Sequence, residues 1–206
     1  MTTTQICPSP LKNILCLAGS LRRDSWNRRL LMAAAECAPD GIELILFDEL
    51  ANVPMFNEDD EHDVAAGVQQ LRHAVAKADG LLIATPEYNH SFPGVLKNAI
   101  DWLSRGTDSV LADKPVAVIG ASTGSWGTRL AQAALRQVLT ATEARVMSGP
   151  MLFVARASDL VGADGQLCEP ALTEALSSLV ANFGDWITLH TQPGCSMSYQ
   201  PTTALA

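Results

Sequence analysis

ATPEYNHSFPGVLKNAIDWLS, residues 84–104, is the stretch that decides the fold. The apolar run 81–84 stops at Thr85-Pro86, and a polar loop follows with Glu87, Tyr88, Asn89, His90 and Ser91. Pro93 and Gly94 then open a helix, where proline suits the first turn because its missing N–H is not needed there. Beyond them Leu96, Ala99, Ile100 and Leu103 share one helical face. The stretch reads as buried strand, exposed loop and helix. In an open α/β sheet such a loop lies at the carboxyl edge of the strands, where ligands bind.

Outward from this stretch the same unit recurs. Upstream, residues 13–18 (NILCLA) are an apolar run fit for a strand buried on both faces. The run ends in Gly19-Ser20 and a loop through Asn27; Leu30, Ala33, Ala34 and Cys37 then repeat at helical spacing until Pro39-Asp40-Gly41. A second strand is predicted at 42–47, a helix from Val64 through Val68, Leu71, Val75 and Ala78, and a third strand at 80–85. Downstream, 115–120 (PVAVIG) reads as the fourth strand, followed by the small-residue loop 121–127 and a helix with Ala131, Leu135, Val138 and Leu139 on one face. Residues 145–147 predict a short fifth strand that resumes at 151–154 past Gly149-Pro150, and Asp164-Gly165 marks a turn. The last helix carries Leu172, Leu176, Leu179, Val180, Phe183 and Ile187. Five strands alternating with five helices predict α/β architecture with a doubly wound parallel sheet. One domain is expected over 11–190, with a flexible arm at 1–10 and a flexible tail at 191–206.

Composition narrows the function. The 206 residues suffice for one α/β domain with a sizeable core. The net charge of -8 argues against nucleic-acid or anionic-membrane partners. No apolar run approaches the roughly 20 residues of a membrane span, and the N-terminus lacks the basic and apolar regions of a signal peptide. Five cysteines (Cys7, Cys16, Cys37, Cys168, Cys195) with no CxxC pair fit reduced thiols in a cytoplasmic protein and argue against a zinc or iron–sulfur centre. Five acids fall within residues 58–63; they read as a solvated loop rather than a metal site. Against this acidic background Arg22, Arg23, Arg28 and Arg29 fall within eight residues, a positive patch suited to a small anion.

Three loops of unusual chemistry follow strands one, three and four. In the strand order 2-1-3-4-5 those strands are neighbours, so the loops share one edge. The alternative order for dinucleotide folds wants G-x-G-x-x-G after the first strand, where this chain has Gly19 alone. The first loop suits a phosphate monoester: Ser20, Ser25 and Asn27 offer neutral donors, Arg22 offers a charged fork, and a helix N-terminus follows. The alternative reading of Ser25 or Asn27 is the helix N-cap. Arg23, Arg28 and Arg29 read as solvated helix-face charges, and Trp26 as a packing or subunit-contact residue. The other two loops suit a flat heterocycle with polar edges. Backbone amides and Asn89 match its carbonyl and nitrogen positions, Ser122 and Gly124 permit close backbone approach, and Tyr88 can flank a ring. Tyr88 also reads as a plain surface aromatic and Glu87 as a solvated carboxylate. His90 has no obvious orienting partner nearby in sequence, so no acid–base role is assigned to it.

These motifs, GSLRRDSWNRRL (19–30), TPEYNHSFPGVLKNAIDWLSR (85–105) and GASTGSWGTRLAQAALRQVL (120–139), resemble the NADPH-dependent FMN reductases of flavodoxin-like fold over roughly residues 11–190. That family includes quinone, chromate and azo-dye reductases. The resemblance implies FMN as cofactor and NADPH as hydride donor. By position, Ser20, Arg22, Ser25 and Asn27 would hold the FMN phosphate. Pro86, Glu87, Tyr88 and Asn89 would line the isoalloxazine and ribityl chain, and Ser122 and Gly124 would close the ring's other edge. It further implies hydride transfer to FMN and on to a small, quinone-like acceptor in ping-pong fashion, with no catalytic side chain. A homodimer or homotetramer is expected, with contacts through helices 94–104 and 128–139. A flavodoxin-type electron carrier and a non-catalytic FMN-binding module are the alternatives. Trp126 stands where a smaller residue is expected, and the acidic 48–63 connection supplies no arginine for a nicotinamide 2′-phosphate.

Overall fold

The structure, a computed structural model, describes residues 11–106, 109–162, 166–167 and 169–191. The predicted arm at 1–10, the turn at Asp164-Gly165 and the tail from 192 onward lie outside the described residues, while Thr191 still belongs to the last helix.

Strands β1 (Lys12–Ala18), β2 (Ile42–Phe47), β3 (Gly80–Ala84), β4 (Pro115–Ala121), β5 (Arg145–Val146) and β6 (Leu152–Val154) form one parallel sheet in the order β2-β1-β3-β4-β5. The predicted fifth strand is two pieces. β5 pairs with the start of β4 (Pro115↔Arg145, Val116↔Val146) and β6 with its end (Ile119↔Leu152, Ala121↔Val154), so together they complete one edge. This is the flavodoxin-like order expected from the sequence.

Side chains on a strand alternate between faces, and here both faces are covered. Leu15, Leu17, Leu81, Ile83, Val116 and Val118 face helices α2 (Ala66–Lys77), α3 (Gly94–Leu103) and α4 (Arg129–Ala141). Ile14, Cys16, Leu82, Ala84, Ala117 and Ile119 face α1 (Trp26–Glu36) and α5 (Pro170–Thr191). Burial pushes the Cys16 thiol up to about 12, so it remains a neutral core group.

The acidic connection after β2 forms short 3-10 turns at Glu49–Asn52 and Glu58–Asp60. It is tied to α3 by buried Asn98, which accepts from the Phe56 N–H at 2.7 Å and donates to the Pro54 carbonyl at 2.9 Å. The Trp102 indole donates to the same carbonyl. Arg105 lies over the Phe56 ring and pairs with Glu58 and Glu61, so part of the acidic run is salt-bridged to the chain just past the end of α3.

Candidate active site

The carboxyl ends of β1, β3 and β4 lie side by side, and their loops meet in one cleft. The strand ladder continues into the loops. The Gly19 N–H donates to Ala84 O, Thr85 N–H to Ile119 O, and Ser122 N–H to Val154 O, at 2.8–3.0 Å. Two glycines permit this convergence. A Cβ at Gly19 would come within 2.5 Å of Leu96 and 3.1 Å of Pro86; one at Gly120 would lie 2.4 Å from the Thr85 carbonyl oxygen. Larger residues would push the first loop from the third, and β4 from the end of β3.

The first loop supplies one end of the cleft. Ser20, Arg22, Ser25, Trp26 and Asn27 line it. Ser25 is the N-cap of α1, its Oγ accepting from the Arg28 N–H at 3.3 Å, and it is only 2% exposed. Arg22 has no carboxylate partner among the described residues and projects from the exposed part of the loop. Arg28 is committed elsewhere: its guanidinium grips Asp48 at both carboxylate oxygens, which raises its pKa further. Arg29 lies 4.9 Å from the Trp26 ring centroid and within 3.6 Å of Asp24. Trp26, read from the sequence as a packing residue, is also part of the cleft wall.

Asn27 differs from the sequence reading. Its amide is 2% exposed and pairs with the backbone of Ala121, donating to the carbonyl at 3.0 Å and accepting from the N–H at 2.9 Å. This two-way bond fastens the first loop to the end of β4. The amide oxygen and one amide hydrogen are thus occupied, which a spacing along the chain cannot reveal because the partner is 94 residues away.

The third loop supplies Pro86, Glu87 and Tyr88. Tyr88 and Ser91 exchange backbone bonds at 3.0 Å around Asn89 and His90, both in the left-handed region (φ 52° and 64°). Two positive-φ central residues define a type I′ turn, which asparagine tolerates well. The turn carries Asn89 past the cleft, so Asn89 does not line it, and leaves Tyr88 at the rim, 48% exposed. Glu87 is not solvated. Its Oε2 accepts from the N–H groups of Leu130 and Ala131 at 2.9 and 3.0 Å, and its side chain is 15% exposed. α4 has no cap from its own N-cap residue, Thr128, so Glu87 supplies the missing acceptor from across the sheet edge and meets the positive end of the helix. The other oxygen lies 3.8 Å from His90 Nδ1, giving that histidine the carboxylate neighbour its sequence context did not indicate.

The fourth loop supplies Ala121, Ser122 and Thr123. Ser122 Oγ accepts from the Gly124 N–H at 3.1 Å, and the Gly124 carbonyl accepts from Arg156 N–H. Gly124 itself is exposed beyond the cleft wall, and a Cβ there would meet only ordinary contact at 3.4 Å. Its contribution is to the shape of the loop. Thr123 and Ala121, not singled out in the sequence, lie in the wall simply because they flank Ser122.

The cleft therefore has two chemistries. One end combines hydroxyls, a guanidinium and a helix N-terminus, the complement of a phosphate monoester. The other combines proline, tyrosine and small side chains on backbone-rich loops, the complement of a flat ring. Among the described residues, no cluster of His, Cys, Asp and Glu is arranged to hold a metal. No helix among them is long and apolar enough to cross a membrane.

Fold and cleft together define a flavodoxin-like protein with one ligand cleft at the carboxyl edge of its sheet, and comparison with known proteins gives the family. The profile of the NADPH-dependent FMN reductases matches residues 12–159, and the chain belongs to that family. It is 37% identical over 175 residues to a 2-hydroxy-1,4-benzoquinone reductase of a Burkholderia species, covering 84% of this chain and 95% of the relative. It is 36% identical over 177 residues to a quinone reductase of Escherichia coli K12, covering 84% and 94%. Among solved structures, the flavoenzyme NAD(P)H:(acceptor) oxidoreductase FerB of Paracoccus denitrificans superposes with a TM-score of 0.81 at 35% identity, covering 87% of this chain and 99% of that one.

Proposed function

We propose that this protein is an NAD(P)H-dependent, FMN-containing reductase of small quinone-like acceptors. The observation that carries the reading is the meeting of the three loops in one cleft whose two ends match a phosphate and a flat ring. When bound, FMN would supply the chemistry, two-electron transfer between a nicotinamide donor and a small acceptor, with the proton that a hydride does not carry drawn from solvent.

The chain's own residues bind and orient. Ser20, Ser25, Arg22 and the first turn of α1 would hold the phosphate. Asn27 acts through Ala121, setting the distance between the phosphate end and the ring end. Pro86, Tyr88, Ser122 and Thr123 would flank the ring. Glu87 fixes the third loop to α4 rather than moving a proton, and no side chain is assigned as acid, base or nucleophile. The relatives named as quinone reductases support the acceptor class. A homodimer or homotetramer in the cytoplasm completes the reading. Exposed Trp126 and Leu130 beside the cleft, 78% and 52% accessible, give α4 and its loop apolar surface for a second copy.

The test is an anaerobic titration of the FMN-reconstituted protein with NADPH, then NADH, followed by flavin absorbance. Prompt two-electron bleaching, with recovery on adding a quinone, is the expected result. FMN binding without bleaching by either nucleotide would return the protein to the electron-carrier class. Failure to bind FMN would refute the assignment of the cleft.

A further inference from the structure

Next to the cleft lies a second recess, between the first loop and the chain leaving β2. The two share Ser20 and Arg22. Three guanidinium groups line this recess, those of Arg22, Arg23 and Arg28, in a chain with only 14 Lys and Arg. Arg28 and Asp48 neutralise one another through their bidentate pair. Arg22 and Arg23 are exposed and have no carboxylate partner among the described residues. Two adjacent cations held at one concavity repel each other, and an anion seated between them converts that repulsion into attraction. Leu21, 58% exposed, and Ala51 add apolar surface to the same recess.

We propose that this recess binds the ribose 2′-phosphate of NADPH, with Arg23 selecting NADPH over NADH. The inference rests on the reading of the adjoining cleft as the FMN site. With FMN's phosphate at the first end, the second phosphate monoester available to such an enzyme is that of its donor. A phosphate monoester carries close to two negative charges at neutral pH and accepts a guanidinium fork, whereas the ribose hydroxyl of NADH has no charge to offer. Arg22 stands between the two anions and contacts both recesses; Arg23 belongs to the second alone. The acidic 48–63 connection therefore need not supply the arginine: the first loop brings it to the wall that this connection forms.

The experiment measures binding of 2′,5′-ADP, 5′-AMP and inorganic phosphate to the FMN-loaded protein by calorimetry, beside the KM values for NADPH and NADH. The wild type is expected to bind 2′,5′-ADP about tenfold or more tightly than 5′-AMP, the scale of one charge-assisted contact. Arg23→Ala should bring that ratio close to one and raise the KM for NADPH relative to that for NADH by a similar factor. Arg23→Lys should retain part of the preference. Equal binding of the two nucleotides by the wild type, or a ratio unchanged in Arg23→Ala, would overturn the proposal. So would inorganic phosphate binding as tightly as 2′,5′-ADP, because the recess would then serve free phosphate. Equal KM values for NADH and NADPH would sink this inference while leaving the reductase intact; bleaching of the flavin by neither nucleotide would sink the reductase reading itself.

Discussion

Two polar residues that follow β1, Arg22 in the first loop and Asn27 in the first turn of α1, hold opposite kinds of role. Arg22 is exposed, unpaired with any described carboxylate, and part of the cleft lining. Arg22→Ala should weaken FMN binding about tenfold while leaving the unfolding midpoint of the apoprotein nearly unchanged, since exposed charges contribute little to stability. Fluorescence titration of FMN beside urea unfolding measures both. Asn27 is buried, and both of its bonds go to the Ala121 backbone. Asn27→Ala leaves a buried N–H and a buried carbonyl without partners, each costing about 1–3 kcal/mol. The expected result is an apoprotein destabilised by at least about 2 kcal/mol, read from urea unfolding. An unchanged midpoint would show that water replaces the amide.

At the scale of elements, the cleft is assembled by helix ends and strand ends that satisfy one another. α1 is capped from its own sequence by Ser25, as residues 25–28 suggest. α4 is not, and Glu87 caps it from the loop after β3. Glu87→Ala should cost about 1 kcal/mol of stability, the usual scale of a lost N-cap. It should leave the chemical step within about tenfold, because no proton transfer depends on it. Thermal unfolding and single-turnover reduction by NADPH separate the two effects, and a loss of several hundredfold in the reduction rate would restore Glu87 as an acid–base group. The fifth strand shows a different principle. Two short pieces, neither long enough to stand alone, each add to the end of β4 they reach, and Gln132 of α4 donates to the Leu152 carbonyl to hold the second piece.

For the whole molecule, the three loops form a site only because the sheet is folded, so ligand binding and folding are linked. FMN that binds the native state and not the unfolded chain stabilises it by about 2.7 kcal/mol at a free concentration near 100 times its Kd. For a chain of this size that should raise Tm by roughly 5–10 °C, measured by circular dichroism with and without FMN. No shift would mean that the loops bind no FMN in the native state.

The apolar runs, their spacing and the punctuation by glycine and proline were enough to determine the doubly wound sheet and the three loops at its edge. Strand burial on both faces and helical periodicity are local properties, and the strand order 2-1-3-4-5 is one in which the three polar loops share an edge. That Ser20, Arg22 and Ser25 would line one end of a cleft was legible for the same reason: they lie within six residues, and a helix N-terminus follows them. Only the tertiary structure decided which polar groups are free. Asn27 is occupied by Ala121, Glu87 by α4, Arg28 by Asp48, while Arg23 faces a recess completed by the chain after β2. A hydrogen bond or an ion pair between residues tens of positions apart leaves no periodic trace in the chain. It exists only once the sheet has brought both partners to one edge, and that is why the sequence could bring candidate residues to that edge but not divide them between cleft wall and support.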